Sequence, residues 1–291
     1  MIHALVAGGL AIAAALVVAV VVLLVWRAFA QAAGARALAI RTPNGIDEAM
    51  FAPVGGIDQW VTIRGQDRSN PVLFLLHGGP GGALSQFASR FTPFERDFVL
   101  VQWDQRGAGR TFGRNRRNPE AVGSVERMVA DGVEMAEWLC ARLGQEKIIV
   151  FGLSWGSVLG VHMVKARPDL FYAYVGTGQV VNMREGEVAA YAQVLAKATA
   201  RQDVKRIAAL RKSGAPPYRS PRQLMAQRRV AGAYEADAPS PRAMLAAMLT
   251  APGYRLRDGL DFMAGAKATE RRFIDREMKG PLMDIDLKAL G

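Results

Sequence analysis

The sequence predicts an α/β domain with a mostly parallel sheet, preceded by a transmembrane helix and followed by a helical cap. Three observations predict this order. The N-terminus carries a charge-free apolar run, short apolar runs alternate with amphipathic stretches as far as Gly178, and only helical periodicity follows. Strands that alternate with helices are typical of a parallel sheet built from crossover connections.

The first thirty residues are predicted to form a transmembrane anchor. Residues 4–25 contain no charge, and at ~1.5 Å per helical residue they reach about 33 Å, enough to cross a hydrocarbon layer of ~30 Å. Trp26 and Arg27 follow as interfacial residues, and Arg27, Arg36 and Arg41 predict a cytoplasmic location for the rest of the chain. The protein is therefore expected to be a single-pass membrane protein.

Two other interpretations of this run stay open. Ala28-Phe29-Ala30 fits the small-residue pattern of a signal-peptide cleavage site, although the apolar run is long for a signal peptide and no basic side chain precedes it. A buried core helix is the other alternative.

Charge and cysteine content limit the classes of function. The formal net charge is +11, but no recognisable nucleic-acid-binding module accompanies it, so no nucleic-acid partner is predicted. Between Arg201 and Arg229 nine basic residues face only one acid, Asp203. That segment is interpreted as a solvated helical surface, with contact to anionic lipid as the alternative. Cys140 is the single cysteine, on an apolar helix, so no internal disulfide is possible.

The chain divides into four parts after the anchor. Residues 31–46 are predicted to be a linker, 47–181 the first part of the α/β core, 182–285 the helical cap and 286–291 the start of a further core segment. Strands are predicted at 60–63, 72–76, 98–101, 148–151 and 171–175, with helices at 125–143 and 155–166. In the cap, Ser220-Pro221 and Ser240-Pro241 are both typical of helix starts.

The motif Gly152-Leu153-Ser154-Trp155-Gly156 lies between a predicted strand and a predicted helix. A serine on such a sharp turn, or elbow, needs small neighbours and projects its hydroxyl from the carboxyl edge of the sheet. The Trp155 N–H then points to where an oxyanion develops on an attacked carbonyl. Ser154 is therefore the predicted nucleophile, and the strand–turn–helix context makes this motif more specific than its five letters alone.

A second glycine-rich segment, His77-Gly78-Gly79-Pro80-Gly81-Gly82, directly follows the predicted 72–76 strand. Its glycines allow the main chain to bend back towards the serine, and the Gly79 N–H is the predicted second oxyanion donor. A simple Gly/Pro turn is the alternative. His77 is expected to hold this loop by hydrogen bonds rather than to act as the general base.

A third segment, Trp103-Asp104-Gln105-Arg106-Gly107-Ala108-Gly109-Arg110, follows the predicted 98–101 strand. An Asp and an Arg within this turn are expected to fix it through a partly buried, charge-assisted bond, which is a structural role. No metal-ligand cluster or phosphate loop is present in the sequence, so neither a metal nor a cofactor is predicted.

These three segments, in this order and at these strand ends, resemble the proline iminopeptidase group of the α/β-hydrolases over about residues 55–185. The resemblance implies an α/β-hydrolase fold with a helical cap and removal of N-terminal residues, often proline, from short peptides through an acyl-enzyme. It also implies that acidic cap residues bind the free amine of the substrate. Glu185 and Glu187 are the possible counterparts, with solvent-facing carboxylates as the alternative.

The triad of an α/β-hydrolase follows the order serine, acid, histidine along the chain. After Ser154 the sequence contains one histidine, His162, which lies about 12 Å along the elbow helix and is expected to pack against the sheet. The last two strands and both triad partners are thus expected to be missing, and the 291 residues to be inactive or feebly active. An incomplete chain, a non-catalytic homologue and a base supplied from elsewhere all remain open. An esterase or lactonase, or a membrane-tethered binding protein for a small peptide or acyl ligand, are the alternative functions.

Overall fold

The computed structural model describes residues 2–234, 240–274, 276 and 282–290. Its helices are α1 (Ile2–Ala37), α2 (Gly109–Asn115), α3 (Val125–Leu143), α4 (Trp155–Ala166), α5 (Met183–Ala200), α6 (Val204–Ser213), α7 (Pro221–Gly232), α8 (Pro241–Thr250) and α9 (Leu256–Thr269). Its strands are β1 (Ile46–Val54), β2 (Ile57–Gly65), β3 (Val72–Leu76), β4 (Val99–Trp103), β5 (Ile148–Leu153) and β6 (Phe171–Thr177).

Within the described residues the strands form one sheet in the order β1-β2-β4-β3-β5-β6. The pairs β1–β2 and β2–β4 are antiparallel, and β4, β3, β5 and β6 pair in parallel. The predicted mostly parallel sheet is therefore confirmed. Because parallel strands end at one edge, the segments that follow β3, β4 and β5 meet there, and these are the three motif-bearing segments of the sequence.

The first hairpin is a difference from the sequence prediction, which placed no strand before Trp60. β1 and β2 are joined by Gly55 and Gly56, whose φ angles are +60° and +74°, and Val54 pairs with Ile57. Two successive positive φ angles are the requirement of the tight hairpin turn that glycine favours. The acidic residues and the proline of β1 are untypical of a strand, so β1 was not predicted. The Gly-Gly pair between the two segments is typical of a hairpin turn and could have indicated it.

The main core lies between the sheet and the helices α3 and α4, which pack on one of its faces. Fully buried side chains include Phe74, Trp103, Met135, Leu139 and Val150. α3 begins where the Ser124 side chain accepts a hydrogen bond from the Arg127 N–H, and ends at Gly144 with a φ of 65°. Both ends were predicted, since a serine N-cap and a left-handed glycine satisfy the free backbone groups of a helix.

α1 extends further than predicted. It runs to Ala37, so the first seven residues of the predicted 31–46 linker are helical. β1 begins at Ile46, which is the last residue of that predicted linker. Alanine-rich sequence sustains a helix, and Gly34 lies against Pro252, where a Cβ would be 3.1 Å from that ring. The stretch Gly8–Ala37 is long and apolar enough to cross a membrane and its most apolar part is not buried, which contradicts the core-helix alternative.

Within the described residues, the elements that follow β6 are helices, as expected for a cap. Asn182 caps α5 through the Glu185 N–H, and Ser240 caps α8 through the Ala243 N–H, whereas the Ser220 side chain makes no capping bond to α7. Parts of the predicted 182–285 and 286–291 segments, namely residues 235–239, 275, 277–281 and 291, lie outside the described residues.

β6 is the edge strand next to β5, opposite β1. Tyr172 and Val175 on it are exposed. These two side chains are three residues apart and therefore point to opposite faces of the strand, so β6 exposes a large side chain on each of its faces.

Candidate active site

Ser154 occupies the sharp turn between β5 and α4. Its φ and ψ are 51° and −114°, a conformation that a non-glycine residue adopts only under strain imposed by its surroundings. The Ser154 N–H donates to the Thr177 carbonyl at 2.9 Å, and the Ser157 hydroxyl donates to the Ser154 carbonyl at 2.6 Å. These bonds hold the turn, and the residue itself is exposed. The structure therefore places the predicted nucleophile at the rim of the sheet.

The glycines that flank Ser154 are required by close backbone contacts. A Cβ on Gly156 would lie 2.1 Å from the Leu76 carbonyl oxygen, and one on Gly152 would lie 2.6 Å from the Gly156 oxygen. Neither neighbour is a flexible side-chain end. A larger residue at position 156 would thus force the elbow away from β3, and one at position 152 would force the start of α4 away from β5.

The His77–Gly82 loop lies directly against the elbow. A Cβ on Gly78 would lie 3.3 Å from the Ser154 Cβ, and Gly79 has a φ of +122°, which favours glycine. Gly79 and Trp155 line the same cavity as Ser154. The three residues predicted to form a nucleophile and its oxyanion donors are therefore brought together.

A buried hydrogen-bond network joins all three motif segments. The Gln105 N–H donates to His77 Nε2 at 3.1 Å, and the Gln105 side-chain amide donates to the His77 carbonyl at 3.1 Å. The Gln105 Oε1 then accepts from the Trp155 indole N–H at 3.2 Å. Gln105 thus connects the His77 loop to the elbow, a role that was not predicted from the sequence. Its position in the turn between Asp104 and Arg106 could have indicated this role. The network fixes the loop against the elbow, as expected for His77.

In the Trp103–Arg110 turn, the Asp104 carboxylate and the Arg106 guanidinium do not pair with each other. Asp104 accepts from the Ser85 hydroxyl at 2.6 Å and from the Arg110 N–H at 2.9 Å. The Arg106 guanidinium instead reaches Asp131 on α3, at 2.6 Å. The Asp104 and Arg106 side chains point in different directions from the turn, so Arg106 finds its counter-ion on α3. The structural role expected of both residues nevertheless agrees with their burial.

The cavity in front of Ser154 has a volume of about 480 Å3 and lies between the sheet and the cap. Glu187 of α5 is 2% exposed and lines it, whereas Glu185 does not. The Arg228 guanidinium donates to Glu187 Oε1, and Oε2 has no partner. Desolvation raises the pKa of Glu187 despite Arg228.

The two predicted amine-binding acids thus separate. Glu185 is exposed and pairs with Lys288 at 2.6 Å, so it matches the alternative of a solvent-facing carboxylate. Glu185 does not line the Ser154 cavity, because residues two apart on a helix face different directions. Phe273, after α9, packs edge-on against Trp155 with ring centroids 5.3 Å apart and ties the cap to the elbow.

None of the three histidines of the sequence is placed to take a proton from Ser154. His3 lies about 36 Å along α1 from Arg27. His77 is buried with both ring nitrogens engaged, Nδ1 at 2.8 Å from the Gly78 carbonyl. His162 lines a groove between α3 and α4 beside Glu126, rather than packing against the sheet as expected.

Comparison with known proteins decides the family. The alpha/beta hydrolase fold family matches residues 71–249. The chain belongs to the α/β-hydrolase family. A relative from Bacillus subtilis, a probable aminopeptidase, YbaC, is 30% identical over 227 residues, which are 76% of this chain and 71% of the relative.

Other relatives and solved structures agree with this assignment. A probable proline iminopeptidase of Streptomyces coelicolor is 37% identical over 122 residues, 41% of this chain and 35% of that protein. The crystal structure of a proline iminopeptidase from Mycobacterium smegmatis superposes with a TM-score of 0.53 at 19% identity, over 83% of this chain and 76% of the other. The first supports a hydrolase lineage, and the second shows the shared fold.

The free energy of unfolding of this hydrolase is expected to depend on pH through His77. Burial lowers the pKa of His77 from 6.5 to about 4, so the folded state binds a proton more weakly than the unfolded state, and the stabilisation is lost as the pH falls from about 6.5 towards 4. In His77→Gln this titration is absent. The difference in unfolding free energy between the protein and this variant should therefore shrink towards pH 4.

This difference isolates His77 from Asp104, whose burial raises its pKa to about 6 and acts in the opposite direction. Urea unfolding of both proteins in detergent between pH 4 and pH 7.5 measures it. A pH-independent difference would show that His77 is not held neutral.

Proposed function

We propose that this protein is a serine hydrolase in which Ser154 attacks the carbonyl of a bound acyl group. The observation that carries the proposal is the strained, exposed Ser154 elbow facing a cavity that Gly79 and Trp155 also line. The backbone N–H groups of Gly79 and Trp155 would stabilise the oxyanion of the tetrahedral intermediate, and loss of one such donor typically costs about 10²–10³ in rate. Collapse of that intermediate breaks the bond to the leaving group, which departs with the proton from the Ser154 hydroxyl, and forms the acyl-enzyme.

We further propose that the substrate is a short peptide with a free N-terminal amine, as in an aminopeptidase of the proline iminopeptidase kind. Glu187 supports this, because its Oε2 is buried, lacks a partner and belongs to a side chain lining the Ser154 cavity. A buried carboxylate oxygen without a partner is costly, and a substrate ammonium would supply the missing donor. Arg228 would hold the carboxylate in place through Oε1.

Binding measurements test this assignment without requiring turnover. Glu187→Gln should weaken the binding of L-prolinamide at least about tenfold, since charge-assisted hydrogen bonds are worth roughly 1.5–3 kcal/mol. N-acetylprolinamide lacks the charged amine and should bind the protein and the variant equally. Isothermal titration calorimetry measures both ligands.

Glu185→Gln is the matched control, because Glu185 lies two residues away but pairs with Lys288 outside the cavity. It should leave prolinamide binding unchanged. Equal binding of prolinamide by the protein and by Glu187→Gln would refute the amine-binding role and favour an esterase or lactonase of the same fold, for which aryl esters are the test substrates.

We propose that the 291-residue chain is at most feebly active by itself. No histidine is placed beside Ser154, and a hydrolase without a triad member retains only ~10³–10⁴ over the uncatalysed rate from its oxyanion hole and binding. Hydrolysis of proline p-nitroanilide far above that level would contradict this proposal.

We also propose that α1 anchors the protein in a membrane with the hydrolase domain in the cytoplasm. Its apolar part is exposed, and the Arg27 guanidinium donates to the Tyr254 carbonyl while Gln31 donates to the Ala251 carbonyl at 2.8 Å. These contacts join the helix to the cap on both sides of the Ala28–Ala30 site, which supports an uncleaved helix over a signal peptide. Protease added to sealed right-side-out vesicles, whose cytoplasmic face lies inside, should leave the C-terminal domain intact.

A further inference from the structure

The helices α8 and α9 present apolar side chains outward. Leu245 of α8 is 58% exposed, and Leu256, Leu260 and Met263 of α9 are 48%, 70% and 61% exposed. The three α9 residues recur at spacings of four and three, so they form one stripe along the helix. A water-facing helix normally carries polar residues on that face.

The inward face of α9 is polar instead. Asp258 and Asp261 are each 4% exposed; Asp258 pairs with Arg110 at 2.6 Å and Asp261 with Arg116. The polarity of α9 is thus inverted relative to a surface helix, and its ion pairs to the core fix which face points outward. A rotation of α9 about its axis does not explain the exposed stripe, because Gly265 lies so close to the core that a Cβ there would be 2.8 Å from the Gly107 carbonyl oxygen.

The turn between α8 and α9 is attached to the anchor helix at the point where charged residues begin. Arg27 is the first charged side chain after the apolar run, and it donates to the Tyr254 carbonyl. Gln31 donates to the Ala251 and Tyr254 carbonyls at 2.8 and 2.7 Å. If α1 crosses the bilayer, Arg27 lies at the headgroup level, and so does this turn. Leu256 and Leu260 follow it within about 10 Å along α9.

The charges around the stripe match a lipid surface. Arg242, Arg255, Arg257 and Lys267 are exposed, whereas the acids Asp258 and Asp261 are buried. Basic side chains that border an apolar face are typical of helices that lie in the headgroup region of an anionic membrane. The same arrangement would be unfavourable beside a basic protein partner.

We propose that the face formed by Leu245, Leu256, Leu260 and Met263 inserts into the interface of the membrane that holds α1. The surface is a second membrane contact, and it rests on the proposed anchor. It orients the cap, and with it the Ser154 cavity, relative to the bilayer instead of leaving the domain to rotate on a single helix.

Depth-dependent quenching of the full chain tests this contact. In a Cys140→Ala background, a single cysteine is introduced as Leu260→Cys, Leu16→Cys or Tyr172→Cys and labelled with the fluorophore NBD. Each protein is reconstituted in phosphatidylcholine vesicles containing about a third phosphatidylglycerol, with or without brominated acyl chains. Leu16 lies in α1, and Tyr172 is exposed on β6 at the far edge of the sheet from β1.

Brominated lipid should quench the fluorescence of the probes at positions 16 and 260 and leave that of the probe at 172 unchanged. The quenching at 260 should be at least about half of that at 16. Quenching at 16 with none at 260 would overturn the second contact while the anchor stands. Absence of quenching at both positions would refute the anchor itself, and the second contact with it. Shielding of the 260 probe from aqueous iodide without quenching by brominated lipid would indicate a protein occupant and also overturn the proposal.

Discussion

Ser154→Ala is expected to abolish covalent modification of this hydrolase by a fluorophosphonate. The reagent phosphonylates the serine that faces an oxyanion hole, and Ser154 is exposed in a strained elbow beside Gly79 and Trp155. Ser89→Ala removes another exposed serine outside that cavity and should not change the labelling. Intact-protein mass spectrometry measures the modified fraction over time.

The rate of labelling should also respond to an added base. Since none of the three histidines is placed beside Ser154, labelling of the 291-residue chain is expected to be slow. Free imidazole fits a cavity of about 480 Å3 and should accelerate the reaction at least about tenfold, a small part of the ~10²–10⁴ that a positioned base supplies. The acceleration should increase with the neutral fraction of imidazole and be absent in Ser154→Ala.

Three results would contradict this interpretation. Labelling that persists in Ser154→Ala would place the nucleophile elsewhere. Fast labelling that imidazole does not change would show that the chain already supplies a base. No labelling under either condition, with retained binding of prolinamide, would favour the non-catalytic binding protein.

The elbow and the glycine loop were predictable from sequence because their chemistry is local. Ser154 needs Gly152 and Gly156 at fixed offsets, since the backbones of β3 and α4 approach too closely for a side chain. The position of each segment directly after an apolar run then placed them at one sheet edge. Constraints between residues close in the chain produce a sequence pattern from which the local structure can be predicted.

Contacts between distant residues were not predictable in the same way. An Asp and an Arg of the Trp103–Arg110 turn were expected to pair with each other, but the Arg106 guanidinium pairs with Asp131, 25 residues away on α3. Glu187 and Glu185 looked equivalent, and only the direction of α5 relative to the cavity separates them. The contact of Arg27 and Gln31 with the 251–254 turn likewise joins segments more than 200 residues apart, where no local pattern exists.

The largest expected effect on stability is that of Asp131→Ala. Arg106 and Asp131 are 1% and 0% exposed, and the guanidinium donates to Asp131 at 2.6 and 3.1 Å and to the Gly55 carbonyl at 2.6 Å. Arg127 adds a bond to Asp131 at 2.8 Å. Truncation leaves the Arg106 charge buried without its counter-ion, which typically costs about 3–5 kcal/mol of unfolding free energy.

Glu134→Ala provides the comparison on the same helix, because Glu134 is 47% exposed and lies 3.8 Å from Arg127. An exposed pair of this kind contributes about 0–1 kcal/mol, so this variant should unfold close to the unmodified protein. Urea unfolding of the full chain in detergent micelles, followed by tryptophan fluorescence, measures both. Asp131→Asn keeps one acceptor for Arg106 and should fall between them. A loss below about 1 kcal/mol in Asp131→Ala would mean that water reaches Arg106 and that the Arg106–Asp131 pair does not stabilise the packing of this turn against α3.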